Sequence, residues 1–324
     1  MIRLPAEWEK QDFVQIMIPH KDSDWNIYLE DVKPAFEKLI DNITKFQHCL
    51  ICYKHDEDIE TLPKNEKTIY KKVDSNDTWC RDFGGITVEI DGQIKVLDFT
   101  FNGWGNKFDA SLDNKITSKI FKNYETIDLV LEGGSIDSNG AGVILTTTDC
   151  LLEQNRNPQM SKDEIDSKLK ELFGAHTIIW LENGFLEGDD TDSHIDMLAR
   201  FANENTIVYQ SCDDAADVHF EALKKMENEL AQTGFKLVAL PWIKAKYFDN
   251  ERLPASYANF LLINDACLVP TYRDENDAQA IEIFSVLFPQ RQIIGIDFST
   301  IIRQHGSLHC LSMQYPKGVL NELA

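Results

Sequence analysis

One cysteine near the end of the sequence stands where a nucleophile could be presented to a substrate. Cys310 ends the segment 306–310, which also contains Gly306 and His309 and follows the apolar run 293–296. A cysteine attacks carbon as the thiolate, so it needs nearby positive charge, a helix N-terminus or a paired base. Gly306 permits a sharp turn or a close backbone approach that would present Cys310 in a cleft. The alternative interpretation is a buried thiol that packs as a small apolar side chain.

Four further side chains stand in polar clusters that could meet this cysteine: Asp82, Glu132, His194 and Asp196. Each has an ordinary structural interpretation too. Asp82 could cap a helix or pair with Arg81, Glu132 could accept hydrogen bonds in a turn, and His194 could be a satisfied buried histidine. The acids around His194 could also bind a metal, but no second histidine follows at ligand spacing and no calcium-loop pattern is present. We therefore expect no metal.

Together, these side chains would suit chemistry at a guanidinium carbon. A planar guanidinium needs carboxylates that accept its fork of N–H donors, and Asp82 and Asp196 could engage it from two sides. That arrangement would hold the guanidinium carbon in front of the Cys310 thiolate. His194 could then protonate the departing ammonia and later activate water. Glu132 could orient the imidazole and favour its charged form.

The composition limits the classes of partner. The 324 residues carry 54 acidic and 32 basic side chains, which gives a net charge of −22. Such a surface repels nucleic acid and anionic membranes and attracts cations, although solubility alone would also explain it. No linker or low-complexity stretch divides the chain, so we predict a single catalytic domain over residues 1–324.

The cysteines and the first residues point to a reducing compartment. The seven cysteines are scattered, and the only CxxC pair, Cys49 and Cys52, lies in a predicted buried strand without a second pair to complete a zinc site. The first residues are charged and lack the apolar stretch of a signal peptide, and no apolar run reaches transmembrane length. We expect a cytoplasmic protein.

The elements between these clusters repeat. A polar cluster is followed by a strand, a tight turn and a returning strand, and the clearer units add a helix and a further strand. With Asp82, Ser135, Asp196, Asn259 and Cys310 as landmarks, the interval is about 50 to 60 residues. This pattern predicts an α/β fold of five radially repeated units whose polar clusters converge on one axis. An open α/β sheet is the main alternative.

Several longer motifs resemble one known family, and they span nearly the whole chain: 4–8, 77–82, 101–105, 132–134, 155–158, 190–196 and 306–310. They are similar to those of the agmatine deiminases, which belong with the bacterial-type peptidylarginine deiminases in the guanidino-group-modifying superfamily. The resemblance implies a five-bladed, pseudo-symmetric α/β propeller of the pentein type with a central pocket. It also implies hydrolysis of agmatine to N-carbamoylputrescine and ammonia, a step towards putrescine, through a covalent amidino-cysteine intermediate and without a cofactor.

The resemblance also assigns roles to the motif residues. Cys310 resembles the nucleophile, His194 the general acid and base, and Glu132 the partner of His194. Asp82 and Asp196 resemble the guanidinium ligands. Three positions are candidates for substrate contacts, with core packing or loop bracing as the alternative: Trp79, Trp104 and Asp190. Members of the family often form homodimers.

Departures from the family pattern leave the substrate open. Ser193 stands where glycine is common, Phe83 is followed by Gly84-Gly85 rather than by Gly-Pro, and the run 303–308 lacks the usual glycines. These differences concern the fit of the far end of the substrate. The alternatives to agmatine deimination are therefore deimination of peptide arginine and a catalytically silent protein that binds polyamines or guanidino compounds.

Overall fold

We describe a computed structural model that covers residues 1–324. Most strands form five separate sheets rather than one open sheet. Two sheets have four strands each; in order along the sheet, these are Ser312–Pro316, Gln11–Met17, His48–Tyr53 and Thr68–Lys72 in one, and Ile2–Arg3, Ile86–Ile90, Gln93–Thr100 and Glu125–Val130 in the other. Three sheets have three strands each. Their orders are Ile136–Ser138, Val143–Thr147 and Thr177–Leu181; Ala199–Asn203, Thr206–Gln210 and Lys236–Leu240; and Leu261–Ile263, Ala266–Thr271 and Gln292–Asp297. A separate hairpin pairs Lys246–Phe248 with Glu251–Leu253.

All five sheets share one strand pattern. Each contains an antiparallel pair whose second strand is joined by a parallel strand. In the sheet that contains Gln11–Met17, the antiparallel partner is Ser312–Pro316, so this sheet joins the two ends of the chain. The repeat predicted from the sequence is therefore present as repeated strand topology.

Helices cross between the parallel strands, as the parallel pairing requires. Four of them are long: Leu29–Phe46, Lys162–Phe173, Phe220–Ala231 and Asp277–Leu287. The predicted capping box is present, because Ser161 accepts from the backbone N–H of Glu164 while the Glu164 carboxylate accepts from that of Ser161. No helix is long and apolar enough to cross a bilayer.

The structure corrects several predicted boundaries. The helix predicted over 25–46 starts as a 3-10 turn at Asp24–Tyr28, because Tyr28 leaves the α-helical conformation. Several strands escaped prediction: Ile2–Arg3, Gln11–Met17, Thr68–Lys72, Glu125–Val130, Lys246–Phe248 and Glu251–Leu253. Thr68–Lys72 and Glu125–Val130 lie at sheet edges, where charged and polar side chains interrupt the apolar residues. Gln11–Met17 lies inside its sheet and is almost entirely buried. Cys49 and Cys52 are buried free thiols, as predicted.

Five short segments precede the antiparallel pairs and carry the polar clusters: Cys80–Phe83, Gly133–Ser135, Ile195–Leu198, Tyr257–Asn259 and residues 307–310. Two of them, Cys80–Phe83 and Ile195–Leu198, are single helical turns at positions where the sequence suggested the start of a strand. A turn of helix lets neighbouring side chains point into one space, which an extended strand would send to opposite faces.

Candidate active site

The five short segments contact one another in chain order, and the last contacts the first. The Gly134 N–H donates to Asp82 Oδ1 at 3.2 Å. Asn259 Nδ2 donates to the Asp196 carbonyl at 3.3 Å, and the His309 N–H donates to the Asn259 carbonyl at 3.2 Å. The Arg81 N–H donates to the Cys310 carbonyl at 3.1 Å, which completes the circuit.

Gly134 joins the second and third segments by close approach. A Cβ on Gly134 would lie 2.6 Å from His194 Nδ1 and 3.2 Å from Asp196 Oδ2. Only glycine fits here, since those distances are too short for any side chain. This contact brings Asp82, His194 and Asp196 to one place, as the sequence interpretation required.

Cys310 is buried among polar neighbours. Its Sγ lies 3.7 Å from Asp196 Oδ2, and Asn259 Nδ2 donates to it at 3.3 Å. Burial, with the nearby charges of Asp196 and Asp82, raises the pKa of Cys310 well above its ordinary value. The free site therefore holds Cys310 as a neutral thiol.

Asp82 is fixed by two donors. Its Oδ1 accepts from Gly134 and its Oδ2 accepts from Trp104 Nε1 at 3.0 Å. Trp104 reaches it from a left-handed backbone conformation at φ 54° between two glycines, which explains the glycines of the 101–105 motif. Burial and the charge of Asp196 raise the pKa of Asp82 well above its usual range.

Asp196 is held on one side only. Its Oδ2 contacts His309 Nδ1 at 2.8 Å, whereas its buried Oδ1 has no hydrogen-bond partner within the protein. Burial acts to raise the pKa of Asp196, but the hydrogen bond and charge of His309 outweigh it and lower that pKa. The carboxylate is therefore ionised and has one free acceptor.

His194 is fully buried, and neither ring nitrogen has a hydrogen-bond partner within the protein. Its Nδ1 lies 3.6 Å from Asp82 Oδ1, too far for a hydrogen bond. Burial lowers the pKa of His194 to about 3, so the free site holds a neutral imidazole. The chain reaches His194 through Asp192 and Ser193, which both have φ above 60°. Ser193 thus has a left-handed backbone conformation, which favours the glycine that is common at this position.

Glu132 does not hydrogen bond to His194 in this structure. Its carboxylate instead accepts from Arg156 Nε at 2.9 and 3.1 Å, and Arg156 also donates to Asp192 Oδ2 at 2.7 Å. Glu132 therefore contacts the segment that leads to His194 through Arg156. A direct partnership between Glu132 and His194 remains a prediction from the family resemblance.

Two groups of side chains offer metal-ligand donor types. One contains Glu132, Cys150 and His194, and the other contains His20, Asp22 and His55. A cationic side chain already occupies the carboxylate in each, Arg156 on Glu132 and Lys54 on Asp22 at 3.1 Å. These cations disfavour a metal ion in either group.

A cavity of about 330 Å³ opens above Cys310, and Asp82, Trp79, Trp104 and Asp190 contribute to its lining. Trp79 is buried and packs on Gly306, where a Cβ would lie 2.4 Å from its ring. Gly306 thus serves close packing beside the cysteine. Asp190 is exposed in the cavity wall, with its carboxylate 3.9 Å from His305.

Sequence reasoning missed four residues that organise the site: Glu7, Arg156, Asn259 and His309. Arg156 and His309 lay in motifs that were recognised without a role, and Asn259 served only as a landmark of the repeat. Glu7 lies about 300 residues from Cys310 in the chain, and its contact with His309 follows only from the pairing of the two chain ends. No local pattern could have connected them.

Comparison with known proteins decides the family. The family model of the Porphyromonas-type peptidyl-arginine deiminases matches residues 3–316. The chain belongs to this family. A Legionella pneumophila protein whose name assigns it as an agmatine deiminase is 34% identical over 331 residues, covering 97% of this chain and 94% of its own. A similarly named Lactococcus lactis protein is 30% identical over 353 residues, covering 97% and 95%.

Solved structures of this family match the fold closely. An agmatine deiminase of C. jejuni, in a cysteine-to-serine form with substrate bound, is 46% identical with a TM-score of 0.97, covering 98% of this chain and 97% of its own. An agmatine deiminase of Enterococcus faecalis is 28% identical with a TM-score of 0.89, covering 98% and 96%. The family resemblance, the α/β fold and the assignment to a family of hydrolytic enzymes are confirmed.

Proposed function

We propose that this protein hydrolyses agmatine to N-carbamoylputrescine and ammonia. The observation that carries the proposal is the placement of Cys310 Sγ 3.7 Å from Asp196, whose other oxygen is free, in a cavity that Asp82 also lines. A thiol between two buried carboxylates suits a planar cation better than a neutral or anionic substrate. The C. jejuni relative, which has substrate bound when a cysteine is replaced with serine, supports the same conclusion.

The proposed architecture is a five-bladed α/β propeller formed by one catalytic domain over residues 1–324. The shared strand pattern of the five sheets supports it, as do the contacts that link the five short segments in a closed circuit. A single apolar cluster of 89 buried residues extends through all five sheets, which supports one domain. The active site would then lie on the axis of the propeller.

Substrate binding comes first in the proposed mechanism. The guanidinium would donate to the free Oδ1 of Asp196 and to Asp82 from the other side, which fixes its plane and faces its carbon towards Cys310. The arriving cation would also compensate the two carboxylates that raise the pKa of Cys310. We therefore infer that substrate binding favours loss of the thiol proton.

The covalent step follows from this placement. His194, neutral in the free site, would first accept the thiol proton of Cys310. The Cys310 thiolate would then add to the guanidinium carbon and form an S–C bond, and the protonated His194 would donate that proton to a terminal nitrogen. The C–N bond to that nitrogen would break and release ammonia, which leaves an amidino group on sulfur.

Hydrolysis would complete the cycle. Neutral His194 would take a proton from a water molecule as its oxygen adds to the amidino carbon. The S–C bond would then break as the hydroxyl proton of the adduct passes to solvent, which releases the ureido product. The proton on His194 would return to the Cys310 thiolate and regenerate the thiol. Glu132 would act on His194 through Arg156 and Asp192, so its role would be to place the imidazole. These steps use side chains and water alone.

The remaining features concern the substrate and its setting. Trp79 and Trp104 would line the aliphatic chain of the substrate, and Asp190 would lie near its amine. The product would supply putrescine formation, and the strong negative charge of the chain would favour a cationic substrate over nucleic acid or an anionic membrane. We also propose that the protein is cytoplasmic and forms a homodimer.

The proposal is tested by incubating the purified protein, with chelator present, with agmatine, arginine and a peptide that ends in arginine. Ammonia and ureido product are measured for each, with Cys310→Ala as the control. Turnover of agmatine alone is expected. Turnover of the peptide would instead make the protein a peptidylarginine deiminase. Agmatine binding without turnover would make it a binding protein.

A further inference from the structure

His309 lies between two buried carboxylates, next to Cys310. Its Nδ1 is 2.8 Å from Asp196 Oδ2, and its Nε2 is 2.7 Å from Glu7 Oε2. The ring is almost completely buried, and the backbone N–H of His309 donates to Asn259 Oδ1 at 2.8 Å. Both the ring and the backbone are therefore fixed.

The two ring contacts are to buried carboxylates. Burial would raise the pKa of Glu7, but Arg200 at 2.7 Å, the ring of His309 and Arg81 outweigh it and lower that pKa. Asp196 is ionised as described above. The ring of His309 thus bridges two carboxylates through its two nitrogens.

This bridge determines which oxygen of Asp196 is available. His309 occupies Oδ2, and Oδ1 is left without a partner although it is buried. A buried acceptor without a partner is costly unless a ligand supplies the donor. We propose that His309 is a positioning residue for the deimination described above, which holds one oxygen of Asp196 so that the other accepts a guanidinium N–H of the substrate.

Glu7 anchors the bridge from the far side. Its Oε1 accepts from the Leu262 N–H at 2.6 Å, and its Oε2 accepts from Arg200 Nη2 as well as from His309. Because these contacts hold Glu7 in place, the ring of His309 has little freedom to turn. The orientation of Asp196 therefore depends on Glu7 and its partners, which would not contact the substrate.

Two variants separate the two ends of the bridge. His309→Asn keeps an N–H donor near the position of Nδ1 and so towards Asp196, whereas His309→Gln places its donor near Nε2 and so towards Glu7. We expect His309→Gln to lower kcat/KM for agmatine by about 10- to 100-fold, and His309→Asn to keep most of the activity. Equal loss in both variants, or full activity of His309→Gln, would overturn the proposal.

An assay that does not depend on turnover tests the role of His309 separately from the proposed enzymatic activity. Iodoacetamide alkylation of Cys310 is followed by mass spectrometry with and without methylguanidine, which carries the guanidinium but not the agmatine chain. The alkylation is run at alkaline pH, where the unliganded thiol reacts. Methylguanidine is expected to protect wild type and His309→Asn, because its bound guanidinium would cover Sγ and exclude iodoacetamide, and to protect His309→Gln at least tenfold less well. If wild type fails to turn over agmatine, the proposed function fails and the protection assay alone decides the role of His309.

Stability controls complete the test. His219 is a matched buried histidine whose Nδ1 contacts Asp217 at 2.6 Å outside the cavity, so His219→Gln should lose thermal stability without a change in protection. If His309→Gln does not fold, Glu7→Gln replaces it. That variant removes one of the two carboxylates that hold the ring of His309 and is expected to weaken protection about tenfold. Unchanged protection in Glu7→Gln would overturn the proposal.

Discussion

Two groups of buried charges meet at His309, and they differ in how completely they are paired. On the side of the chain ends, Arg200 donates to Glu7, Asp137 and the Phe260 carbonyl, and both Asp137 oxygens accept hydrogen bonds. On the side of the cavity, His194 has two unpartnered nitrogens and Asp196 has one unpartnered oxygen. Asp137 is fully hydrogen bonded on one side, whereas Asp196 is left with one free oxygen on the other.

This difference distinguishes buried charged groups that stabilise the fold from those that would bind a ligand. Buried polar groups that serve only the fold are normally hydrogen bonded, because an unmet donor or acceptor costs about 1–3 kcal/mol. Unpartnered atoms around a cavity are therefore best explained by a ligand that completes them. The paired network would hold the site in place, and the unpartnered atoms would bind the substrate.

Removal of the proposed nucleophile should give the largest effect on the cavity side. Cys310→Ala is expected to lower kcat for agmatine by more than about 1,000-fold, since the proposed covalent intermediate forms on its sulfur. Agmatine binding, measured by calorimetry, should remain because both aspartates are intact. Turnover close to wild type would show that Cys310 is not the nucleophile.

A break in the paired network should affect stability first. Arg200→Met leaves Glu7 and Asp137 buried without their cation, and the free energy of unfolding is expected to fall by about 3–5 kcal/mol. Urea unfolding measures this loss. An equally stable Arg200→Met protein would contradict the structural role assigned to the network.

Loss of one hydrogen bond at the edge of the cavity should have a smaller effect. Trp104→Phe removes the N–H that donates to Asp82 Oδ2 but keeps an aromatic ring. We expect kcat/KM to fall about tenfold, in line with the loss of one hydrogen bond to a charged group. Trp8→Phe, a tryptophan outside the cavity, serves as the control and should retain full activity.

The smallest effect is expected at Asp113, a buried carboxyl outside the cavity. Asp113 also has a buried oxygen without a partner, but it does not line the cavity, and burial raises its pKa to about 7 from an ordinary 3.8. The folded protein therefore binds this proton more tightly than the unfolded chain. Its stabilisation is complete below about pH 4 and is lost as the pH rises through 7.

Asp113→Asn cannot lose that proton. The melting temperature of the variant relative to wild type is expected to rise by about 2 to 4 °C between pH 5 and pH 8. Thermal unfolding at both pH values measures it. A difference that does not change with pH would mean that Asp113 is already ionised in the folded protein.

The sequence predicted the repeat well and the site in part. Alternating strands, turns and capped helices are local patterns, so most strands and the capping box at Ser161 were predicted. The polar cluster before each strand pair also predicted that Cys310, Asp82 and Asp196 lie together; Cys310 and Asp82 line the cavity, and Asp196 contacts Cys310 from behind it. The roles of these residues remain predictions.

What sequence reasoning could not supply was the partner of each charge. Glu132 faces Arg156, and Asp196 faces His309, and both pairings depend on contacts between segments that are far apart in the chain. The edge strands at 68–72 and 125–130 were missed for a related reason. Both strands are short and carry charged or polar side chains, although Ile127 and Leu129 are buried, so pairing with a neighbouring strand is what defines them.

The pairing of Ser312–Pro316 with Gln11–Met17 has a consequence for folding. The Tyr315 hydroxyl donates to Gln15 Oε1 across 300 residues of sequence, and Cys310 lies just before this strand. Long-range pairing of this kind forms slowly, because a large loop must close first. On the ribosome, residues 11–17 therefore emerge long before their partner, and Cys310 reaches its neighbours only when the late-synthesised strand pairs with them. The proposed site is therefore incomplete in a growing chain until that pairing forms.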